Sequence, residues 1–368
     1  MKTIVVNGAN GYVASNFIAR LLKTGNKVVA LVRPGYKHTP EERMKSVLAD
    51  IGESKTLNTQ NLSVYPYSLL DKDFAMEKRS LKKVFRTNVD YFHFAASLKY
   101  DEKSVDEIFS TNIEGVRNSI DIFLKYASKK SRFFYIGTAY SCGKYNAVFE
   151  EKFYKNEPIS SFRNYYELSK RYGENIVRQS IEKSHLNGHV IRLSQVVGDH
   201  RTGITKTDYG IFDFSKRVYK LASRYPNEVV RVKVDPDSTQ NLIPIGTVVN
   251  YLLQAVQAET APRIMNLVAR RSIRNEQIIN TLNEVLPITL IPQRNLNRDS
   301  MNALERLISI GMSFTGSYTE TNLKFDTSRR DEVIQPGKDD ELNDKSVYAM
   351  LEYFVGMLSA QKRKTAAA

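Results

Sequence analysis

The strand–turn–helix–strand pattern of residues 2–32 restricts the fold more than any other stretch of the chain. Lys2 to Val6 is a short apolar run leading into Gly8-Ala9-Asn10-Gly11, so it reads as a buried strand closed by a tight turn. Tyr12 to Lys23 carries apolar residues at helical spacing, and Gly25 stands where such a helix stops. Lys27 to Val32, KVVALV, reads as a second strand. The whole is a β-α-β unit of about 30 residues, the usual size.

The alternation continues. Pro40 to Asp50 reads as a helix with Thr39 as N-cap, Pro40 in its first position and acids in its first turn. Leu62 to Tyr67, Val89 to Ala96, Arg132 to Ile136 and His189 to Val197 read as four further strands. Ser104 to Lys125 reads as one long amphipathic helix, and Tyr166 to Lys183 as another. Such alternation predicts an α/β fold, a doubly wound parallel sheet of Rossmann type. From about residue 199 the rhythm changes, and helices at Phe212 to Ser223, Thr247 to Ala258 and Asn275 to Val285 outnumber strands. The expected organisation is a Rossmann domain over 1–198 and a smaller, mainly helical C-terminal substrate lobe over 199–360 that partly returns to the sheet. A disordered tail is expected over 361–368.

A chain of 368 residues is long enough for such a core and a second lobe. Its one cysteine, Cys142, excludes an internal disulfide, and the histidines lack metal-ligand spacing, so no structural zinc is expected. A reducing, cytoplasmic setting is expected. No apolar run reaches the roughly 20 residues that span a bilayer, and the N-terminus lacks a signal-peptide pattern. The net charge is +14, but the cations are scattered among acids. That pattern reads as a basic surface that keeps the chain soluble, or as attraction for anionic small molecules or an acidic partner protein, rather than as a nucleic-acid site.

The glycine turn has a definite chemistry. Gly8 and Gly11 let the backbone approach a pyrophosphate, and the helix opening at Tyr12 and Val13 aims N–H groups and a positive dipole end at it. Asn10 lies within the same turn, and Ala14 is small enough for close helix–strand packing. Arg33 ends the second strand, where an NAD enzyme places an acid for the ribose 2′-hydroxyl. An arginine binds a 2′-phosphate instead, and Arg43 on the following helix can close over it, so NADP(H) is the expected cofactor.

In Asn164-Tyr165-Tyr166-Glu167-Leu168-Ser169-Lys170, Tyr166 and Lys170 lie four apart, on one helix face. An ammonium beside a phenol lowers the tyrosine pKa, which suits Tyr166 to move a proton near neutral pH. Thr138 ends the fifth strand, and ligands bind beyond the carboxyl ends of strands in such sheets. Asn112, on the long helix, is a fourth polar candidate. Cys142 has no evident histidine nearby and reads as a buried filler.

The order Gly8-x-x-Gly11-x-x-Ala14, His93-Phe-Ala-Ala96, Asn112, Thr138, Tyr166-x-x-x-Lys170 and Arg192 resembles the extended short-chain dehydrogenases/reductases over nearly the whole chain. Leu31-Val-Arg33 with Arg43, Thr111-Asn-Ile-Glu-Gly115, Gly137-Thr-Ala-Tyr140, Asn241-Leu-Ile-Pro-Ile-Gly246 and the run from Ile191 to Gly203 are similar to the thioester reductase and fatty acyl-CoA reductase branch. The resemblance implies Thr138, Tyr166 and Lys170 as catalytic, with Tyr166 and Lys170 also touching the cofactor. It implies cofactor contacts from Gly8, Gly11, Arg33 and Arg43, from the backbone at Ala95 and Ala96, and from Ser194 to Val196. Asn7 stands where threonine is common, and Ser68-Leu69 where an Asp-Leu pair touches adenine, leaving Leu69 as the adenine-side residue. Ser194 replaces a frequent proline.

The implied activity is hydride transfer from NADPH to a thioester or aldehyde carbonyl. The substrate would be a small molecule or a carrier-bound acyl group, with an acyl-carrier protein as the candidate partner. Lys144, Arg163, Arg201 and Lys206 are the cations expected to flank the cleft mouth. Two alternatives share the motifs: a nucleotide-sugar epimerase or dehydratase, and a non-catalytic NADP-binding regulator.

Overall fold

A computed structural model describes residues 2–51, 57–311, 315–337 and 340–367. Two compact units emerge: Met1–Leu193 with Val248–Leu267 and Phe325–Pro336, and Ser194–Thr247 with Val268–Lys324 and Gly337–Ala368.

The first unit is built on β1 (Thr3–Asn7), β2 (Lys27–Val32), β3 (Leu62–Pro66), β4 (Val89–His93) and β5 (Arg132–Thr138). A two-residue strand β6 (Val148–Phe149) precedes β7 (Gly188–Leu193). The large sheet has seven strands, all parallel, in the order Ile264–Leu267, β7, β5, β4, β1, β2, β3. This is the expected doubly wound α/β sheet. Strands β4 and β5 are buried along their whole length, as a sheet covered on both faces requires. Their rings stack across the sheet, Phe92 on Phe134 with centroids 4.5 Å apart and Tyr91 on Phe133 at 5.3 Å.

The α-helices of its first segment, Met1–Leu193, are α1 (Tyr12–Lys23), α2 (Pro40–Asp50), α3 (Lys78–Val84), α4 (Val105–Phe109), α5 (Gly115–Tyr126) and α6 (Tyr165–Ser184). Helix α2 starts as its sequence predicts: Thr39 accepts from the Glu42 amide, and the Glu42 carboxylate accepts from the Thr39 amide. The helix expected over 104–125 is interrupted. Helices α4 and α5 are separated by one wide π turn, Ser110–Glu114. Strand β7 also ends earlier than expected. The chain breaks at Ser194, and Gln195–Val197 pairs with Leu242–Pro244 in the second unit.

In the second unit three small two-stranded ladders accompany the helices Ile211–Ala222, Asn275–Val285, Ala303–Gly311 and Asp344–Ala367. Its core gathers Phe212, Val218, Leu242, Ile279, Leu282, Met350 and Phe354. Over the stretch expected as a tail from residue 361, the last helix continues through Ala367. Lys362 and Arg363 do not break helical propensity.

Candidate active site

Four elements of the first unit converge at the carboxyl ends of its central strands. Gly8 follows β1 with φ +60°, and a Cβ there would lie 2.8 Å from the Ala95 amide nitrogen, so only glycine fits. The turn closes through Gly11 N–H donating to Gly8 O at 2.9 Å. Gly11 is the N-cap of α1, and no side chain caps that end. The first turn of α1 thus receives no side-chain acceptor from its cap residue.

Asn7 ties the turn to β4. Its Oδ1 accepts from the amides of Phe94 at 2.8 Å and Ala95 at 3.0 Å. Its Nδ2 is left to face His93 Nδ1 at 2.9 Å, so Nδ1 is the acceptor and the ring proton sits on Nε2. Burial, with the charge of Lys170 nearby, holds His93 neutral by pushing its pKa down to about 3. The departure from threonine at position 7 therefore supplies three bonds that join two strand ends.

Arg33 is exposed at the end of β2 and makes no ion pair among the described residues. Arg43 folds back from α2, and its guanidinium donates to the Arg33 carbonyl. The two candidate phosphate ligands are thus adjacent. Leu69 packs over Gly115, whose missing side chain makes the room.

The 20-residue α6 presents the tyrosine–lysine pair. Asn164 caps it by accepting from the Glu167 amide at 3.0 Å. Lys170 is buried, donates to the Ile136 carbonyl at 2.8 Å, and lies 4.5 Å from the centre of the Tyr135 ring. Loss of water around the ammonium pushes its pKa down to about 7, against the opposing charge of Glu174. Tyr166 is half-buried one turn earlier. Thr138 is buried, donates to the Leu193 carbonyl at 3.3 Å, and accepts from the Tyr140 amide at 3.3 Å.

Asn112 sits inside the π turn and is buried. Its Oδ1 accepts from Ser97 N–H at 2.7 Å, and its Nδ2 donates to Ser97 O at 3.0 Å and to Ser169 Oγ at 2.9 Å. Both amide hydrogens are engaged, and the segment after β4 that carries Ala95 and Ala96 is fastened to α6. Ser169 in turn donates to the Tyr166 carbonyl at 2.8 Å. Gly173 brings α6 so close that a Cβ would stand 2.4 Å from the Tyr135 hydroxyl. Below the pair, Glu174 and Arg192 form a buried ion pair at 2.7 Å, and Glu174 also accepts from Ser141 at 2.7 Å.

Of the cations expected at a cleft mouth, Arg163 is not available. Its side chain is buried and donates to Glu167 and to the Gly143 carbonyl. Lys144 is exposed but rests on the Ser160 carbonyl. Arg201 and Lys206 are exposed, and like Ser194 and Val196 they belong to the second unit. Cys142 is buried, and burial pushes its thiol up to about 12, far from a nucleophile's range. Sequence reasoning passed over Ser97, Ser169, Glu174 and Tyr67. Only Ser169, set between Tyr166 and Lys170, carried a local signal.

Residues 6–252 match the sequence profile of a family described as male sterility protein. Fatty acyl-CoA reductase 2 of Homo sapiens is 23% identical over 293 residues, covering 68% of this chain and 54% of that protein. UDP-glucose 4-epimerase 2 of Arabidopsis thaliana is 27% identical over 213 residues, covering 56% of this chain and 55% of that protein. The chain spans about half the length of these curated relatives. A thiolation-reductase di-domain from an archaeal non-ribosomal peptide synthetase has the same fold, with a TM-score of 0.76 at 16% identity over 97% of this chain and 76% of that one.

Proposed function

The chain belongs to the male sterility protein family, within the extended short-chain dehydrogenases/reductases, and on that ground we propose that it is an NADPH-dependent reductase of acyl thioesters or aldehydes. The observation that carries the reading is the combination of an exposed Arg33 that makes no ion pair among the described residues with Lys170 buried one helical turn from Tyr166. When bound, NADPH supplies hydride: one equivalent releases an aldehyde and a thiol from a thioester, and a second gives the alcohol.

The chain's own groups do the rest. The α1 N-terminus holds the pyrophosphate, and Arg33 with Arg43 holds the 2′-phosphate. Tyr166 Oη donates its proton to the substrate oxygen as negative charge develops there. Lys170 Nζ makes the phenol more acidic and orders the ribose. Thr138 adds a second hydrogen bond by turning its hydroxyl from Leu193, a long and therefore weak bond to give up. Asn112 acts at one remove, holding Ala95 and Ala96 against the cofactor through Ser97. The acyl donor is a fatty acyl-CoA or an acyl group on a carrier protein, both delivered on an anionic phosphopantetheine arm.

The test is loss of reduced-nicotinamide absorbance with a panel of acyl-CoAs, carrier-bound thioesters, aldehydes and sugar nucleotides. Turnover of thioesters or aldehydes with NADPH is expected. Conversion of sugar nucleotides with no net cofactor oxidation would replace this reading with that of an epimerase, the activity named for the second relative. Cofactor binding without turnover of any class would make the protein a regulator.

A further inference from the structure

Tyr67 follows β3, and its ring is buried with only 6% of the residue exposed. Its oxygen accepts the Gly8 N–H at 3.1 Å. Gly8 is therefore held between the Tyr67 hydroxyl on one side and the Ala95 backbone on the other. Behind Tyr67 stands Phe74, edge-on at 5.5 Å and fully buried.

Phe74 belongs to an unusual turn. Asp73, Phe74 and Ala75 have φ of 51°, 59° and 54°, three successive left-handed residues with no glycine among them. Each such residue is disfavoured by contact between its Cβ and the backbone. The turn is fastened in place, because the Asp73 carboxylate accepts from Lys125 at 2.8 Å and Tyr126 at 3.1 Å. A strained, pinned turn thus fixes the ring that backs Tyr67.

The Tyr67 oxygen has one hydrogen of its own, and no acceptor for it exists among the described residues. Burial pushes the phenol up to about 12 despite the Gly8 amide and the charge of Arg33, so the hydroxyl stays protonated. It is a donor beside the glycine turn, within the field of the arginine that faces the 2′-phosphate. We infer that Tyr67 is a cofactor-contacting residue, donating to a ribose or phosphate oxygen of the adenosine half of the dinucleotide while it accepts from Gly8. The inference rests on the dinucleotide reading above and adds a contact that the glycine motif does not contain.

The experiment is titration of NADPH, NADH and ADP against the full chain and its Tyr67→Phe variant, with thermal melts of both without ligand. The variant keeps the ring against Phe74 but removes the acceptor of the Gly8 N–H, so its melt should fall by no more than about 2–4 °C. Affinity for all three ligands should fall about tenfold, with the NADPH to NADH ratio unchanged because Arg33 is intact. Equal affinities in parent and variant would overturn the inference and leave the reductase reading standing. A parent chain that binds neither dinucleotide would overturn both. If Tyr67→Phe does not fold, Phe74→Leu takes its place. That variant keeps the hydroxyl but loosens its backing, so about threefold weaker binding supports the inference and unchanged binding overturns it.

Discussion

Asn112 and Ser169 are joined by a 2.9 Å hydrogen bond between a π turn and the helix turn that carries Tyr166 and Lys170. Because Ser169 also donates to the Tyr166 carbonyl, that turn is held by bonds made to the Tyr166 backbone. Tyr166→Phe should therefore keep the melting temperature and cofactor affinity while lowering turnover at least about a hundredfold. Near-normal turnover in steady-state assays would remove Tyr166 from the chemistry.

Arg33 makes no ion pair among the described residues, and its carbonyl accepts from Arg43. NADPH should bind more tightly than NADH by about 1–3 kcal/mol, the range for a hydrogen bond to a charged group. Arg33→Asp should erase or reverse the preference, since a carboxylate repels a 2′-phosphate and accepts from a 2′-hydroxyl. Fluorescence titration decides it; equal affinities in the parent would place the 2′-phosphate elsewhere.

Lys170 makes stability depend on pH. Its pKa is near 7 in the fold and 10.5 in an open chain, so between these values the unfolded chain binds more protons and stability rises with pH. Below about pH 7 the full penalty of the buried ammonium is present. Lys170→Met should raise the melting temperature of the cofactor-free protein most near about pH 6, with the gain shrinking toward about pH 10. A difference that does not vary with pH would contradict a buried charge at this position.

Arg192 and Glu174 are both fully buried. Glu174→Ala leaves a guanidinium without its counter-charge and should cost about 3–5 kcal/mol in urea unfolding. Replacing both with apolar residues of similar size should recover most of that loss. If the single variant loses less than about 1 kcal/mol, Arg192 must be sustained by its bonds to the Glu150 and Lys152 carbonyls alone.

An anionic donor arm should give a salt-dependent preference. The kcat/KM for a CoA or carrier thioester, relative to a short uncharged thioester, should be highest at low salt. It should fall as exposed charges are screened over about 8 Å at physiological ionic strength. A ratio independent of salt would point to a free-carbonyl substrate. Lys144, Arg201 and Lys206 remain the cations to substitute, Arg163 being committed to Glu167.

The parts of this fold that were legible in the sequence are those set by local chemistry. Thr39, Pro40 and Glu42 define the start of α2 within four residues, and Gly25 marks the end of α1. Tyr166 and Lys170 are visible because helical spacing alone makes them neighbours. The π turn was not legible. Thr111-Asn-Ile-Glu-Gly115 keeps helical spacing, and the long-range contacts there include those of Asn112 with Ser97 and Ser169 and of Gly115 with Leu69. The strand Ile264–Leu267 was hidden for a similar reason. It carries a polar Asn266 at full burial, whose Nδ2 donates to the carbonyls of Phe149 and Asp326 while Glu151 accepts its backbone N–H. Tyr67 reaches Gly8 across 59 residues, a separation at which no pattern in one sequence announces a bond.

The chain passes between its two units five times, after residues 193, 247, 267, 324 and 336. No single cut can therefore free one unit from the other. Truncation after the first crossing would remove Ile264–Leu267 and leave β7 as a bare edge, its unpaired amides and carbonyls open to another chain. It would also strip Glu151 of the Asn266, Arg329 and Arg330 amides that surround its carboxylate. For anyone moving this fold between hosts or fusing it to a carrier, a joint at any of these five crossings would part segments that belong to one unit. Exchange of the second unit would have to be done as three separate grafts rather than one.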